Sequence, residues 1–415
     1  MIPSSFTPSA PPAWQSVLFL VFSSLGTLLG LGGAVMLAFL GLVALVAGEA
    51  GGVQQVTGAL SLAATALLVT LLCLPGVIHA YRALRGHVRP MRPLGRGLPW
   101  LTLGVLAWPL LVGLYGALEK APGAWLVLPP LIVVSALLPL LWFLYLGAQG
   151  LALDWESDGW GVISTSLVIT MPLILVVEVG LFLVLAVGAF VWVAGRPELA
   201  QQLQDLVRTL ETVDPRVLEA YLQDVFSQPS ALTLLLLLVA GAIPLIEEFF
   251  KPLAVWTFAG RKITPAQGYL IGLLAGACFA LLENLSALSG VAGMGSLPTL
   301  VGRVGTALLH MTTSGLVGWS LASAWQGHSP WRVLGTYLLA VFLHGLWNAF
   351  GLLMGIGTLF PMPSSATSQL AHLGSLAPII LGILAIFNFI FILAANRHFR
   401  REVAAGRETP PPTVG

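Results

Sequence analysis

Along almost the whole chain, runs of twenty or more apolar residues alternate with short stretches of charge, proline and glycine. A helix needs about twenty such residues to cross roughly 30 Å of hydrocarbon at about 1.5 Å per residue. The interruptions place runs at 15–48, 56–80, 99–118, 125–149, 162–195, 231–258, 267–288, 300–325, 333–356 and 375–395. The expected fold is therefore all-α, a polytopic transmembrane helical bundle of about ten spans. The first run is too long for the apolar region of a signal peptide, and no Lys or Arg precedes it, so it reads as a permanent span.

Between the fifth and sixth runs lies a polar segment, 196–230. Leu199, Leu203, Leu206 and Leu210 recur there at helical spacing, and Asp214 with Pro215 opens a second short helix. It reads as an amphipathic helical segment lying on the membrane surface outside the cytoplasm. The chain then divides into an N-terminal transmembrane region (1–195), this segment (196–230) and a second transmembrane region (231–356). A loop with the last span (357–395) and a disordered cytoplasmic tail (396–415) follow.

Composition narrows the function classes. The chain is 57% hydrophobic and 8% charged, against about 25% charged in a soluble domain, which excludes a soluble globular enzyme. Lys plus Arg (18) nearly balance Asp plus Glu (17), so the basic footprint of a nucleic-acid binder is missing. Cys73 and Cys278 both sit in apolar runs and supply no disulfide framework. Basic residues are unevenly placed: Arg82, Arg85, Arg89, Arg92 and Arg96 crowd one loop, and Arg261, Lys262, Arg332, Arg397, Arg400, Arg401 and Arg407 fall on the same side. Lys120, Arg196, Arg208, Arg216 and Arg303 fall opposite, so both termini are expected to be cytoplasmic in a multi-pass protein of the cell membrane. The acidic stretch DWESDGW then lies in a cytoplasmic loop, where acidic residues carry little orienting weight.

Ionisable groups are costly in lipid, and here they concentrate in the second half. The sixth run carries Glu247, Glu248 and Lys251; the seventh Glu283 and Asn284; the eighth Arg303, His310, Thr313 and Ser314; the ninth His344 and Asn348. Spacings of four put Glu247 with Lys251, Phe279 with Glu283, His310 with Ser314 and His344 with Asn348 on shared helix faces. Counted from the expected cytoplasmic ends, Glu248 lies at ~15 Å, Glu283 at ~24 Å, His310 at ~22 Å and His344 at ~17 Å, all near mid-membrane. One shared site explains four such groups more economically than four separate burial costs. Pro244 and Pro252 flank the glutamates and loosen their helix. Gly268, Gly272 and Gly276 form a ridge that lets a second helix approach closely below Glu283.

Such groups suit hydrolysis. A buried glutamate can serve as general base toward water, with Lys251 holding one member of the pair ionised, while His310, His344 and Asn348 support a developing oxyanion. Glu283, His310 and His344 also match the two-His, one-carboxylate ligand set of a catalytic Zn2+ or another divalent metal. Simpler roles exist beside these: a Glu–Lys pair closed within one helix, Glu283 and Asn284 as interhelical hydrogen-bonding groups, and packed core histidines. Arg303, near the outer interface, is expected to snorkel toward the headgroups.

Four motifs, EExxK at 247–251, FxxxEN at 279–284, an Arg seven residues before HxxxS at 303–314, and HxxxN at 344–348, occur in one order with one motif per span. Together they resemble the PrsW family of intramembrane proteases, relatives of the type II CAAX prenyl proteases, over about 240–350. The resemblance implies that Glu247 and Glu248 are the essential pair, with His310, His344 and Asn348 completing the site and Lys251, Glu283, Asn284 and Ser314 supporting it. It implies a membrane-protein substrate with a single span, cut in or near the bilayer, and a metalloprotease or a metal-free glutamate mechanism. Glu283 stands where the CAAX relatives carry histidine, which argues against a prenylated substrate. The competing functions are a non-catalytic scaffold of the same fold and a proton-coupled transporter; the transporter would show paired broken helices in two halves, whereas the polar groups here occupy one half. Oligomeric state is left open.

Overall fold

The computed structural model describes residues 12–47, 52–87, 92–93, 97–119, 121, 123–196, 201, 228–290, 297–359 and 368–406. Of the amphipathic segment expected at 196–230 only residues 196, 201 and 228–230 are described, and of the tail expected at 396–415 residues 407–415 lie outside the described residues. The described chain is helical apart from turns and one two-residue antiparallel pairing, β1 (Arg92–Pro93) with β2 (Ala152–Leu153). The helices are α1 (Ala13–Ala47), α2 (Gly52–Leu84), α3 (Leu98–Leu118), α4 (Ala124–Ala148), α5 (Trp160–Thr165) and α6 (Met171–Ala194). They continue with α7 (Pro229–Leu236), α8 (Ile243–Phe250), α9 (Leu253–Trp256), α10 (Pro265–Gly290), α11 (Leu297–Trp325), α12 (Trp331–Leu359) and α13 (Ser368–Ala404).

Nine helical stretches among the described residues are long and apolar enough to cross a membrane, which makes this a multi-pass helical membrane protein. The eighth expected span, α11, has the length but not the apolarity, since it carries Arg303, His310, Thr312, Thr313 and Ser314. Two of the long runs are not uniform α-helix. Wide π-helical turns at Ser166–Thr170 and Leu237–Ala242 join α5 to α6 and α7 to α8. Such turns leave backbone carbonyls open to other donors and recur at functional sites.

The chain packs as two compact units. The first comprises Met1–Pro172, Glu248–Ala340 and Ala385–Gly415; the second comprises Leu173–Glu247 and Val341–Leu384. The boundary in the sequence thus falls between the two adjacent glutamates.

In the first unit, α10 is buried along nearly its whole length. Its glycine ridge makes the close approach that the sequence suggests: a Cβ at Gly268, Gly272 or Gly276 would meet the backbone carbonyls of Gly318, Ser314 and His310 of α11. Only hydrogen side chains let two helix backbones touch in this way. At the other end of the unit, Arg261 Nη1 and Nη2 donate to Asp158 Oδ1 and Oδ2 at 2.7 and 3.0 Å, and Nη1 also reaches Gln15 Oε1 at 3.0 Å. Asp158 of the acidic stretch is therefore neutralised by a fork-shaped pair.

The C-terminal helix corrects one expectation. Instead of a disordered tail from 396, α13 runs on to Ala404. Asn396 Nδ2 donates to the carbonyls of Gly147 and Gln149 at 2.9 Å each, and Phe399 packs its ring against Tyr269. Those contacts carry the helix past the end of its apolar run.

In the second unit, α6 leaves Val176, Val184, Val187 and Phe190 well exposed, as a helix bathed in lipid does. The π-helical turn before α8 is held by α12. Pro244 has no N–H to offer the carbonyl of Ala240, and Gly345 of α12 lies so close that a Cβ there would collide with that oxygen. Asn348 Nδ2, one turn further on, donates to the carbonyl of Val239 at 3.0 Å.

Candidate functional site

The first unit holds a continuous chain of charged groups with a buried centre. Lys251 falls in the turn between α8 and α9, where Pro252 ends one helix and caps the next. Its Nζ donates to Glu248 Oε1 at 2.7 Å and meets His310 Nδ1 at 2.8 Å. His310 Nε2 lies 2.7 Å from Glu283 Oε2, and Arg303 Nη2 lies 2.8 Å from Glu283 Oε1. Glu248, Lys251 and His310 are each no more than 1% exposed. Phe279 closes one side: its ring packs edge-on against His310 at 4.9 Å and lies 4.2 Å from Lys251 Nζ.

Hydrogen-bond chemistry fixes the histidine's tautomer. An ammonium has donors only, so His310 Nδ1 accepts from Lys251, and the ring proton sits on Nε2, which donates to Glu283. A neutral imidazole is thereby clamped between a cation and an anion. The Gly276 contact with the His310 carbonyl sets the height of the ring against Phe279 and Glu283, three and seven residues along α10.

The second unit brings together Glu247 and His344, whose Oε2 and Nε2 are 3.8 Å apart. Both are buried. Asn348, expected beside His344 as an orienting or oxyanion group, instead commits its amide nitrogen to the Val239 carbonyl. Its observed work is to hold the helix that carries Glu247.

Several expectations change at this level. Lys251 pairs with Glu248, three residues away. Arg303 ties α11 to Glu283 on α10. Asn284 Nδ2 donates to the Arg303 carbonyl at 3.1 Å, strengthening the same junction. Ser314 is fully buried, and its carbonyl faces Gly272. Glu283 has one oxygen on Arg303 and the other on His310, which leaves it poorly suited to ligate a metal. Sequence reasoning missed the roles of Arg303 and Phe279, although Arg303 lies seven residues before His310 and so shares its helix face.

Glu247, His310 and His344 are each buried and each offers one atom able to ligate a metal ion. A ligand histidine backed by a carboxylate, as Glu283 backs His310, is the usual supporting pattern of a metal site. Because Nε2 carries the proton, Nδ1 is the nitrogen of His310 left for a metal. Lys251 Nζ now occupies its lone pair, so ammonium and metal are alternatives there.

These features define a class: a multi-pass membrane protein with buried acid, base and imidazole groups within its spans. Residues 184–383 match the model of the PrsW family, described as an intramembrane metalloprotease. Over that stretch the chain resembles PrsW-family proteins, and the match supports an intramembrane endopeptidase. Neither the curated proteins nor the solved structures gave a match.

Proposed function

We propose that the protein hydrolyses a peptide bond within or beside the transmembrane segment of a single-span membrane protein. Glu247, Glu248, His310 and His344 carry the chemistry in this reading. The observation that supports it most is the chain Glu248–Lys251–His310–Glu283, buried within the family-matched stretch. A purely structural ion pair would close on itself, whereas this one delivers an imidazole of fixed tautomer and a charge-compensated carboxylate to the same place.

Glu248 is the proton acceptor for the attacking water. Its charge is balanced by Lys251, so it can stay ionised in apolar surroundings. Water oxygen bonds to the scissile carbonyl carbon, the proton passes to Glu248, and the same carboxyl returns it to the departing amine as the C–N bond breaks. Glu247, His310 and His344 each offer a donor to a divalent metal, which when bound polarises the carbonyl and acidifies water. Asn348 and Glu283 are positioning residues: one fixes the helix bearing Glu247, the other the ring of His310. Lys251, Asn284 and Ser314 support them, and both termini face the cytoplasm.

Elemental analysis of protein purified in lipid discs tests the metal set. About one divalent ion per chain is expected in the wild type, retained in Glu248→Gln and lost in His344→Ala, with cleavage of a reconstituted single-span peptide lost in both. Wild-type protein that cleaves while holding no metal would remove the ligand assignment and leave the two glutamates as the hydrolytic groups.

A further inference from the structure

Where α4, α10 and α11 meet in the first unit, a small cavity offers about 10 Å³ of space for the centre of a water molecule. Three polar atoms belong to residues that line it: Ser135 Oγ, Asn284 Oδ1 and Arg303 Nε. Each is buried and, among the described residues, has no hydrogen-bond partner. The rest of their polar groups are engaged. Ser135 gives its carbonyl to Trp108 Nε1 at 2.9 Å, Asn284 gives its Nδ2 to the Arg303 carbonyl, and Arg303 gives Nη2 to Glu283. The surrounding walls are apolar, formed by Leu140, Leu288 and Leu300 among others.

The unpaired set is complementary to one small molecule. Arg303 Nε–H can only donate, Asn284 Oδ1 can only accept, and the Ser135 hydroxyl does either. A water molecule donates twice and accepts twice, so it satisfies all three at once. Space for one water centre and two to four polar partners are the two conditions for a buried water, and both are met. An ion is disfavoured, because a cation would face Arg303 and an anion would face the Asn284 oxygen.

We infer that the fold binds one water molecule between Ser135, Asn284 and Arg303, joining three helices and fixing the arginine that holds Glu283. The water site stands on this geometry alone and does not rest on the proteolytic reading. It gives Arg303 a fixed partner on its Nε edge, so that its Nη2 is aimed at Glu283.

Hydroxyl radicals made by X-ray radiolysis mark side chains next to bound water even where bulk solvent is excluded. The test applies them to the full chain in lipid discs and reads oxidation by mass spectrometry at Leu140, Leu288 and Leu300, each at most 3% exposed. In the wild type these leucines are expected to be modified roughly fivefold faster than Leu270 and Ile271, buried residues that do not line the cavity. Ser135→Ala and Asn284→Leu should each bring them down to the rate of those two. Ser135→Ala removes one hydroxyl and leaves the Asn284 and Arg303 contacts in place, which keeps the test usable if Asn284→Leu fails to assemble. Wild-type rates equal to those of Ile271, or rates unchanged in Ser135→Ala, would overturn the proposal.

Discussion

Protein carrying Lys251→Met is expected to unfold at a markedly lower temperature and to release no cleavage product. The lysine is fully buried, donates to Glu248 at 2.7 Å and to His310 at 2.8 Å, and lies over the ring of Phe279. Methionine has a similar shape but no charge. It leaves the Glu248 carboxylate uncompensated in a low-dielectric setting, where breaking a buried pair costs about 3–5 kcal/mol. It also removes the donor that pins His310 in its Nε2–H form, so ring and carboxylate lose their defined states together. Lys251→Arg separates the two effects. It restores the charge and much of the stability, but its flat five-donor fork does not reproduce a compact ammonium between two acceptors, so activity should stay low. Thermal unfolding in detergent, run beside cleavage of a single-span peptide, reads both quantities. A Lys251→Met protein as stable and as active as the wild type would remove the buried chain from the account.

The second large effect is expected from Gly276→Val. A Cβ at this position collides with the His310 carbonyl and stands 2.9 Å from the Met311 Cα, and neither is the end of a flexible side chain that can swing away. The helices cannot simply part, because Gly272 and Gly268 repeat the contact one and two turns below. Overpacking of this kind costs about 1–3 kcal/mol or more. Here the displaced backbone is that of His310, so activity should fall further than stability. Gly302→Val on α11 is the matched control, since nothing lies within 4 Å of a Cβ there. Expression level and unfolding temperature measured for the pair give the comparison; equal behaviour of the two variants would contradict close backbone packing.

Much of the architecture was legible in the sequence because lipid imposes a simple rule. A span at 99–118 became α3, Leu98–Leu118, and one at 125–149 became α4, Ala124–Ala148, since an apolar run of that length has no other low-cost conformation in a bilayer. The glycine ridge was legible for a similar reason, as three glycines on one face leave a groove that only another helix fills. Partner choice was not. Spacing allowed Lys251 to reach either glutamate, and only the break at Pro252 turns it toward Glu248 and α11. Arg303 read as an interfacial residue because its depth was visible and the carboxylate facing it on a neighbouring helix was not. Asn348 read as part of the chemistry because HxxxN shares a face. The opened carbonyl of Val239, which claims its amide, exists only because a π-helical turn forms before Pro244. The extension of α13 to Ala404 escaped notice because it depends on Asn396 and Phe399 finding partners far away in the sequence.

The central claim is that Glu247 and Glu248 serve peptide-bond hydrolysis in the membrane. Mapping new protein N-termini in membranes of cells expressing the wild type, or a Glu247→Ala, Glu248→Ala double variant at equal level, tests it most directly. The account predicts N-termini within or beside single spans that are present with the wild type and disappear with the variant. Identical profiles from the two, with both proteins folded, would contradict it and mark the buried groups as parts of a scaffold.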